Sequence, residues 1–165
     1  MDRIDRQIIA ELQRDGRLPL SRLSERVGLS PTPLARRIAR LEREGIITGY
    51  SARVDQERLG LALNVFIFVE LERQTREALD EFETALRRFD EVMECYLMTG
   101  SRDVLLRVVA PDLAGFDRFL EEGLMRTPNI RAMRSSFALR AIIRRDALPA
   151  LPARLPAGRG AAPAG

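Results

Sequence analysis

The sequence predicts an α+β chain in two parts: an N-terminal winged helix-turn-helix and a C-terminal ferredoxin-like βαββαβ domain. Three observations carry that reading. Residues 18–45 contain two short amphipathic segments joined by the turn Gly28-Leu29-Ser30, the second of them rich in arginine. Residues 46–54 carry strand-forming residues around Gly49. From residue 62 onward the pattern alternates between β-branched runs and amphipathic stretches in the order βαββαβ.

The elements follow in order. Asp2 caps a first helix to about Arg14, with Ile4, Ile8 and Leu12 at helical spacing, and Gly16 is its expected stop. A second helix runs from Leu20 to Val27 and places Leu20, Leu23 and Val27 on one side. Ser30 is the expected cap of a third helix that ends at Gly45, with Pro31 at its first position, where the missing N–H costs nothing. Ile46 to Val54 is expected to form a small hairpin, the wing. The domains are drawn as 1–54 for the helix-turn-helix, 55–61 for a linker and 62–146 for the ferredoxin-like part.

In the second part, Ala62–Leu71 is expected as a strand and Thr75–Phe89 as a helix with Leu79, Phe82, Leu86 and Phe89 on one face. Val92–Met98 and Val104–Ala110 are strands joined by a turn at 99–103. Asp112 caps a helix to about Met125, with Leu113, Phe116, Leu120 and Leu124 on its face, and Ile130–Ile143 is the last strand. Residues 147–165 contain Ala, Pro, Gly and Arg but no acid and are expected to be disordered.

Composition narrows the function. The chain has 165 residues, 27 basic residues that are all arginine, 24 acids and no histidine. Without histidine, the commonest general acid/base and metal ligand is missing, and neither a Cys/His zinc site nor a Ser-His-Asp triad can be built. No catalytic residue, metal or cofactor is expected. No apolar run reaches the length of about 20 residues that spans a bilayer, and the N-terminus lacks a signal-peptide core. Cys95 is the single cysteine, so no internal disulfide forms, and a cytoplasmic address is expected. Residues 1–60 hold 12 arginines against 9 acids, whereas residues 61–146 hold 13 against 15. The basic excess therefore lies with the helix-turn-helix, as a phosphate-binding surface requires.

On a helical wheel of the third helix, Leu34, Ile38 and Leu41 face the core. Thr32, Arg36, Arg40 and Arg43 fall opposite, with Arg37 beside them. Arginine grips phosphate oxygens or pairs bidentately with guanine, so double-stranded DNA is the expected partner. Thr32 and Arg36, in the N-terminal half, are the expected base readers. Arg40 and Arg43 are the expected phosphate anchors, and Ser30 adds a phosphate contact at the helix N-terminus. A solvated arginine face balanced by Glu42 and Glu44 is the competing reading, and the Gly-Leu-Ser-Pro turn weighs against it.

The run DRIDRQIIAELQRDGR, followed by LSERVGLSPTPLARRIARLEREGIITGY, and the later ECYLMTG resemble the Lrp/AsnC family of transcriptional regulators. The likeness covers roughly residues 2–148. It implies a winged helix-turn-helix joined to an effector-binding, oligomerising domain, and dimers that assemble further, often to octamers. The family's effector loop typically reads Gly-Asp-x-Asp-Tyr and lines an amino-acid pocket between dimers. Here Gly100 and Asp103 match, while Ser101 and Val104 depart from the pattern. Gly100, Ser101, Arg102, Asp103 and Val104 are therefore the expected effector residues, with Asp103 taking the ammonium and backbone N–H groups the carboxylate. Ser135 and Ser136 on the last strand are further candidates. Without the resemblance, the loop reads as an ordinary hairpin turn.

Self-association has an independent argument. Leu63, Val65, Ile67, Val69 and Leu71 share one strand face, and Phe66 and Phe68 share the other. Helices cover only one face of a ferredoxin-like sheet, so the second apolar face points to another copy. Two other functions stay open. One is an architectural DNA-binding protein without an effector. The other is an enzyme like the siroheme decarboxylases, which share this fold but rely on histidine.

Overall fold

The computed structural model describes residues 1–100 and 102–149 and divides into two compact units. Of the described residues, the first holds Met1–Arg53 and those from Ile143 to Pro149, and the second is Val54–Ile142.

In the first unit, α1 (Arg3–Arg14) opens on a reciprocal capping box. The Asp5 N–H donates to Asp2 Oδ1 at 2.9 Å, and the Asp2 N–H donates to Asp5 Oδ2 at 2.8 Å. The helix stops at Asp15 in extended backbone, one residue before the expected Gly16. α2 (Leu20–Val27) ends at Gly28, whose φ of 69° is the left-handed value glycine adopts without strain. α3 (Pro31–Arg43) starts after Ser30, which holds the cap backbone conformation but makes no side-chain cap bond. Its end is a Schellman motif: the Ile46 N–H donates to the Leu41 carbonyl at 2.9 Å and the Gly45 N–H to the Glu42 carbonyl at 3.0 Å. Ile8, Leu23, Leu34 and Leu41 are buried at the centre, with Ile4, Leu12 and Ile38 packed around them.

The expected wing hairpin is not there. Residues 46–54 pair with no strand. Instead the Tyr50 hydroxyl donates to Glu42 at 2.9 Å and Arg53 to the Gln13 carbonyl at 2.9 Å, so side chains fix this segment. The expected tail also differs over its first residues. The Gln13 side chain accepts from the Leu148 N–H at 2.7 Å and donates to the Leu148 carbonyl at 3.3 Å. Residues 150–165, the rest of the expected disordered tail, lie outside the described residues.

The second unit is a four-stranded antiparallel sheet in the order β2-β3-β1-β4, the arrangement that a βαββαβ chain produces. Its strands are β1 (Leu63–Leu71), β2 (Val92–Leu97), β3 (Val104–Ala110) and β4 (Ile130–Phe137). α4 (Arg76–Leu86) follows β1, and α5 (Leu113–Arg118) follows β3. Thr75 and Asp112 cap these helices by accepting from Ala78 and Gly115. The expected linker 55–61 belongs to this unit, and Gln56 donates to the Leu61 and Leu63 carbonyls.

Three boundaries differ from expectation. The helix expected to reach Phe89 stops at Leu86. The last strand stops at Phe137 rather than Ile143. The helix expected from Asp112 to Met125 is regular only to Arg118. It then widens into a π turn over Phe119–Gly123 and tightens into a 3₁₀ turn over Leu124–Arg126. A Cβ on Gly123 would meet Phe89 at 2.7 Å, and Phe89 stacks edge-on against Phe119 at 5.6 Å. The irregular turn thus sits where two aromatic rings crowd the helix.

Val65, Ile67, Val69, Leu106, Val108, Phe82 and Leu124 build the core between sheet and helices. The register places Phe66 beside Arg107 and Phe68 beside Leu105, on the side the helices leave uncovered.

Candidate nucleic-acid interface and effector loop

Pro31 starts α3 and the Schellman motif ends it, which fixes the stretch that carries Thr32, Arg36, Arg37, Arg40 and Arg43. Leu34 and Leu41 are fully buried, as the wheel requires. Ser30, Thr32, Arg36 and Arg43 are exposed, and among the described residues Arg36 and Arg43 have no ion-pair partner.

Arg37 and Arg40 depart from the open cationic face expected of them. Both turn onto Asp5, whose side chain is only 1% exposed. Arg37 Nη1 donates to Asp5 Oδ1 at 2.8 Å and to Asp2 Oδ2 at 2.6 Å. Arg40 Nη2 donates to Asp5 Oδ2 at 2.6 Å, and its Nε lies 3.8 Å from Glu44. The physical reason is charge balance: a buried carboxylate on α1 requires paired cations, and α3 supplies the nearest two.

Burial pushes the Asp5 carboxyl up, but the Asp2 N–H and the two guanidinium groups outweigh it and hold it below the usual carboxylate range. The Asp5 N–H, followed by Arg37, brings Asp2 from 3.8 to about 2. Sequence reasoning missed Asp5. The signal was present, because Asp5 shares the inward face of α1 with Ile8 and Leu12. An acid on an apolar stripe demands a partner.

The loop joining β2 and β3 is closed by the Met98 N–H, which donates to the Asp103 carbonyl at 2.7 Å. Gly100 has φ 121°, a conformation that favours glycine. The Asp103 carboxylate is engaged within the fold. Its Oδ2 accepts from the Leu71 N–H at 2.7 Å and its Oδ1 from the Gln74 side chain at 2.7 Å. It anchors the loop to the end of β1 instead of standing open for an ammonium. Arg102 pairs with Glu70, which also receives Arg131 at 2.7 Å. Val104 is 2% exposed and belongs to the core, so its side chain does not line the loop's surface. Ser101 lies outside the described residues.

Ser135 and Ser136 do not join this loop within one protomer. They pair with Ile67 and Phe66, so β1 separates them from β3, and their side chains alternate to opposite faces. Strand spacing puts Ser136 roughly 14 Å from the loop end of β3. A cavity of about 700 Å³ opens beside α4 and β2, lined by Leu79, Phe82, Glu83, Cys95 and Leu97, and of the expected effector residues that are described it touches only Val104. Burial, with Glu83 nearby, pushes the Cys95 thiol up, so Cys95 is no activated thiolate.

Comparison with known proteins bears on both units. Residues 1–48 match a winged helix-turn-helix DNA-binding family, and residues 64–148 match the Lrp/AsnC ligand binding domain. The chain is 46% identical over 149 residues to the Bkd operon transcriptional regulator of Pseudomonas aeruginosa, covering 90% of this chain and 97% of that one. It is 42% identical over 135 residues to the leucine-responsive regulatory protein of Escherichia coli K12, covering 82% of each. A transcriptional regulator of Neisseria meningitidis, crystallised as its L-Met complex, superposes with a TM-score of 0.85 at 36% identity, covering 90% of this chain and 96% of that chain.

Proposed function

The chain belongs to the Lrp/AsnC family of DNA-binding transcriptional regulators, and from that premise we propose how its residues divide the work. Thr32 and Arg36 read base edges. Arg43 and Ser30 hold phosphate, and Arg40 is a structural cation that fixes α3 against α1. The observation that carries this division is the split among the arginines: Arg36 and Arg43 are exposed without an ion-pair partner, while Arg40 is bound to the buried Asp5. The division also keeps the chemistry apart, since base-edge contacts specify sequence and phosphate contacts supply affinity.

The ligand of the second unit is an amino acid, bound where the Gly100–Asp103 loop meets a neighbouring protomer. The relatives named for leucine and crystallised with L-Met support that class. Because Asp103 holds the loop and Val104 faces the core, the ligand is met by loop backbone and by groups of the neighbouring copy. The protein acts in the cytoplasm as a dimer or larger assembly of dimers, and its role is regulatory, without catalysis. No helix of the described residues is long and apolar enough to cross a membrane.

The test is selection of duplexes from a random library by the full-length protein, with each amino acid added in turn. A recurring motif bound at least about 1,000-fold tighter than random duplex is expected. One or more amino acids should shift that affinity. Binding without motif or ligand response would identify an architectural protein instead.

A further inference from the structure

Arg37 is held differently from Arg40, and the difference has a consequence for DNA binding. Arg40 rests on Asp5, which is sealed in the core. Arg37 also touches Asp5, but it shares the same Nη1 with Asp2, whose side chain is 52% exposed. No other donor of Arg37 bonds within the described residues, and the side chain is 29% exposed. A guanidinium has five N–H donors in a planar fork, so Arg37 keeps donors beyond those that Asp2 and Asp5 occupy. A DNA phosphate offers the same paired, singly charged oxygens as the Asp2 carboxylate, and the duplex presents them as a dense array whose condensed counterions are released on binding. Releasing an exposed carboxylate costs little, whereas releasing a buried one strands a charge in the core.

Resting on the reading of α3 as the DNA-reading helix, we propose that Asp2 is an exchangeable counter-ion for Arg37. In the free protein Asp2 holds the guanidinium. In the complex it yields that guanidinium to a phosphate, while Asp5 keeps Arg40 in place. Asp2 thereby lowers affinity for all duplexes alike and leaves base discrimination untouched.

The experiment compares Asp2→Asn with wild type in the full-length protein. Asparagine keeps the N-cap acceptor and removes the charge, and Asp2→Ser, another capping residue, guards against a loss of α1. Affinity for a selected operator and for random duplex should rise by the same factor, about two- to fivefold, the range an exposed ion pair spans. In an Arg37→Gln background that gain should vanish. No gain, or a loss, in both Asp2 variants with unchanged helix content would overturn the proposal. So would a gain of equal size in the Arg37→Gln background, because the charge would then act on DNA through space. An Arg36→Ala/Arg43→Ala protein that binds DNA normally would instead remove the reading of α3 on which the proposal rests.

Discussion

Asp5 receives three hydrogen bonds, from the Asp2 N–H, Arg37 and Arg40, and is fully buried. Its carboxylate is therefore the charge on which the pairing of α1 with α3 depends. Asp5→Asn keeps the shape and removes the charge, and it is expected to cost about 2–3 kcal/mol, read from the urea midpoint. The same group makes the N-terminal unit sensitive to acid. Folded Asp2 and Asp5 both titrate below their ordinary value of 3.8, Asp2 at about 2. Their contribution is thus complete above 3.8 and disappears as the pH falls from there towards the folded values. Wild type should lose urea stability across that window more steeply than Asp5→Asn. A parallel pH profile would remove Asp5 from the linkage. These residues also mark a limit of the sequence. The wheel places Leu34 and Leu41 inward correctly, because apolar burial follows periodicity. It cannot place Arg37 and Arg40, because a long side chain goes where its partner is, and the partner lies on another helix.

At the scale of elements, periodicity and capping predict α1, α2, α3 and β3 to within about two residues at each end, since cap and turn chemistry is local. The wing and the end of the second domain were not legible. Residues 46–54 have strand-forming composition, yet Tyr50 is fixed by Glu42 on the preceding helix and Arg53 by the Gln13 carbonyl, which is distant in sequence. The helix after Asp112 has continuous apolar spacing, yet Phe89 approaches at Gly123 and the backbone widens. Gly123→Ala should test this. Its Cβ would press on the Phe89 ring, so a loss of about 1–3 kcal/mol is expected in thermal or urea unfolding. A neutral or stabilising outcome would show that the ring yields. The effector loop was legible as a loop, but the roles of its side chains were not. Asp103 reads as a free acid until β1 and Gln74 are seen to occupy it.

For the whole molecule, the expectation that exceeds one chain is self-association. Phe66, Phe68 and Leu105 lie on the face of the sheet opposite its helix-covered core. Apolar surface on that side is best covered by a second copy, which also supplies the second helix-turn-helix that paired half-sites require. Phe66→Glu/Phe68→Glu should therefore lower the sedimentation mass and weaken operator binding while the core, on the other face, stays folded. An unchanged mass would place the contact elsewhere. Arg36 on α3 is the residue proposed to read sequence. The most direct measurement is the ratio of operator to random-duplex affinity for wild type and Arg36→Ala at one fixed salt concentration. The ratio is predicted to fall about 5- to 150-fold, equivalent to about 1–3 kcal/mol, with random-duplex binding much less affected. An unchanged ratio, or an equal loss on both duplexes, would contradict it.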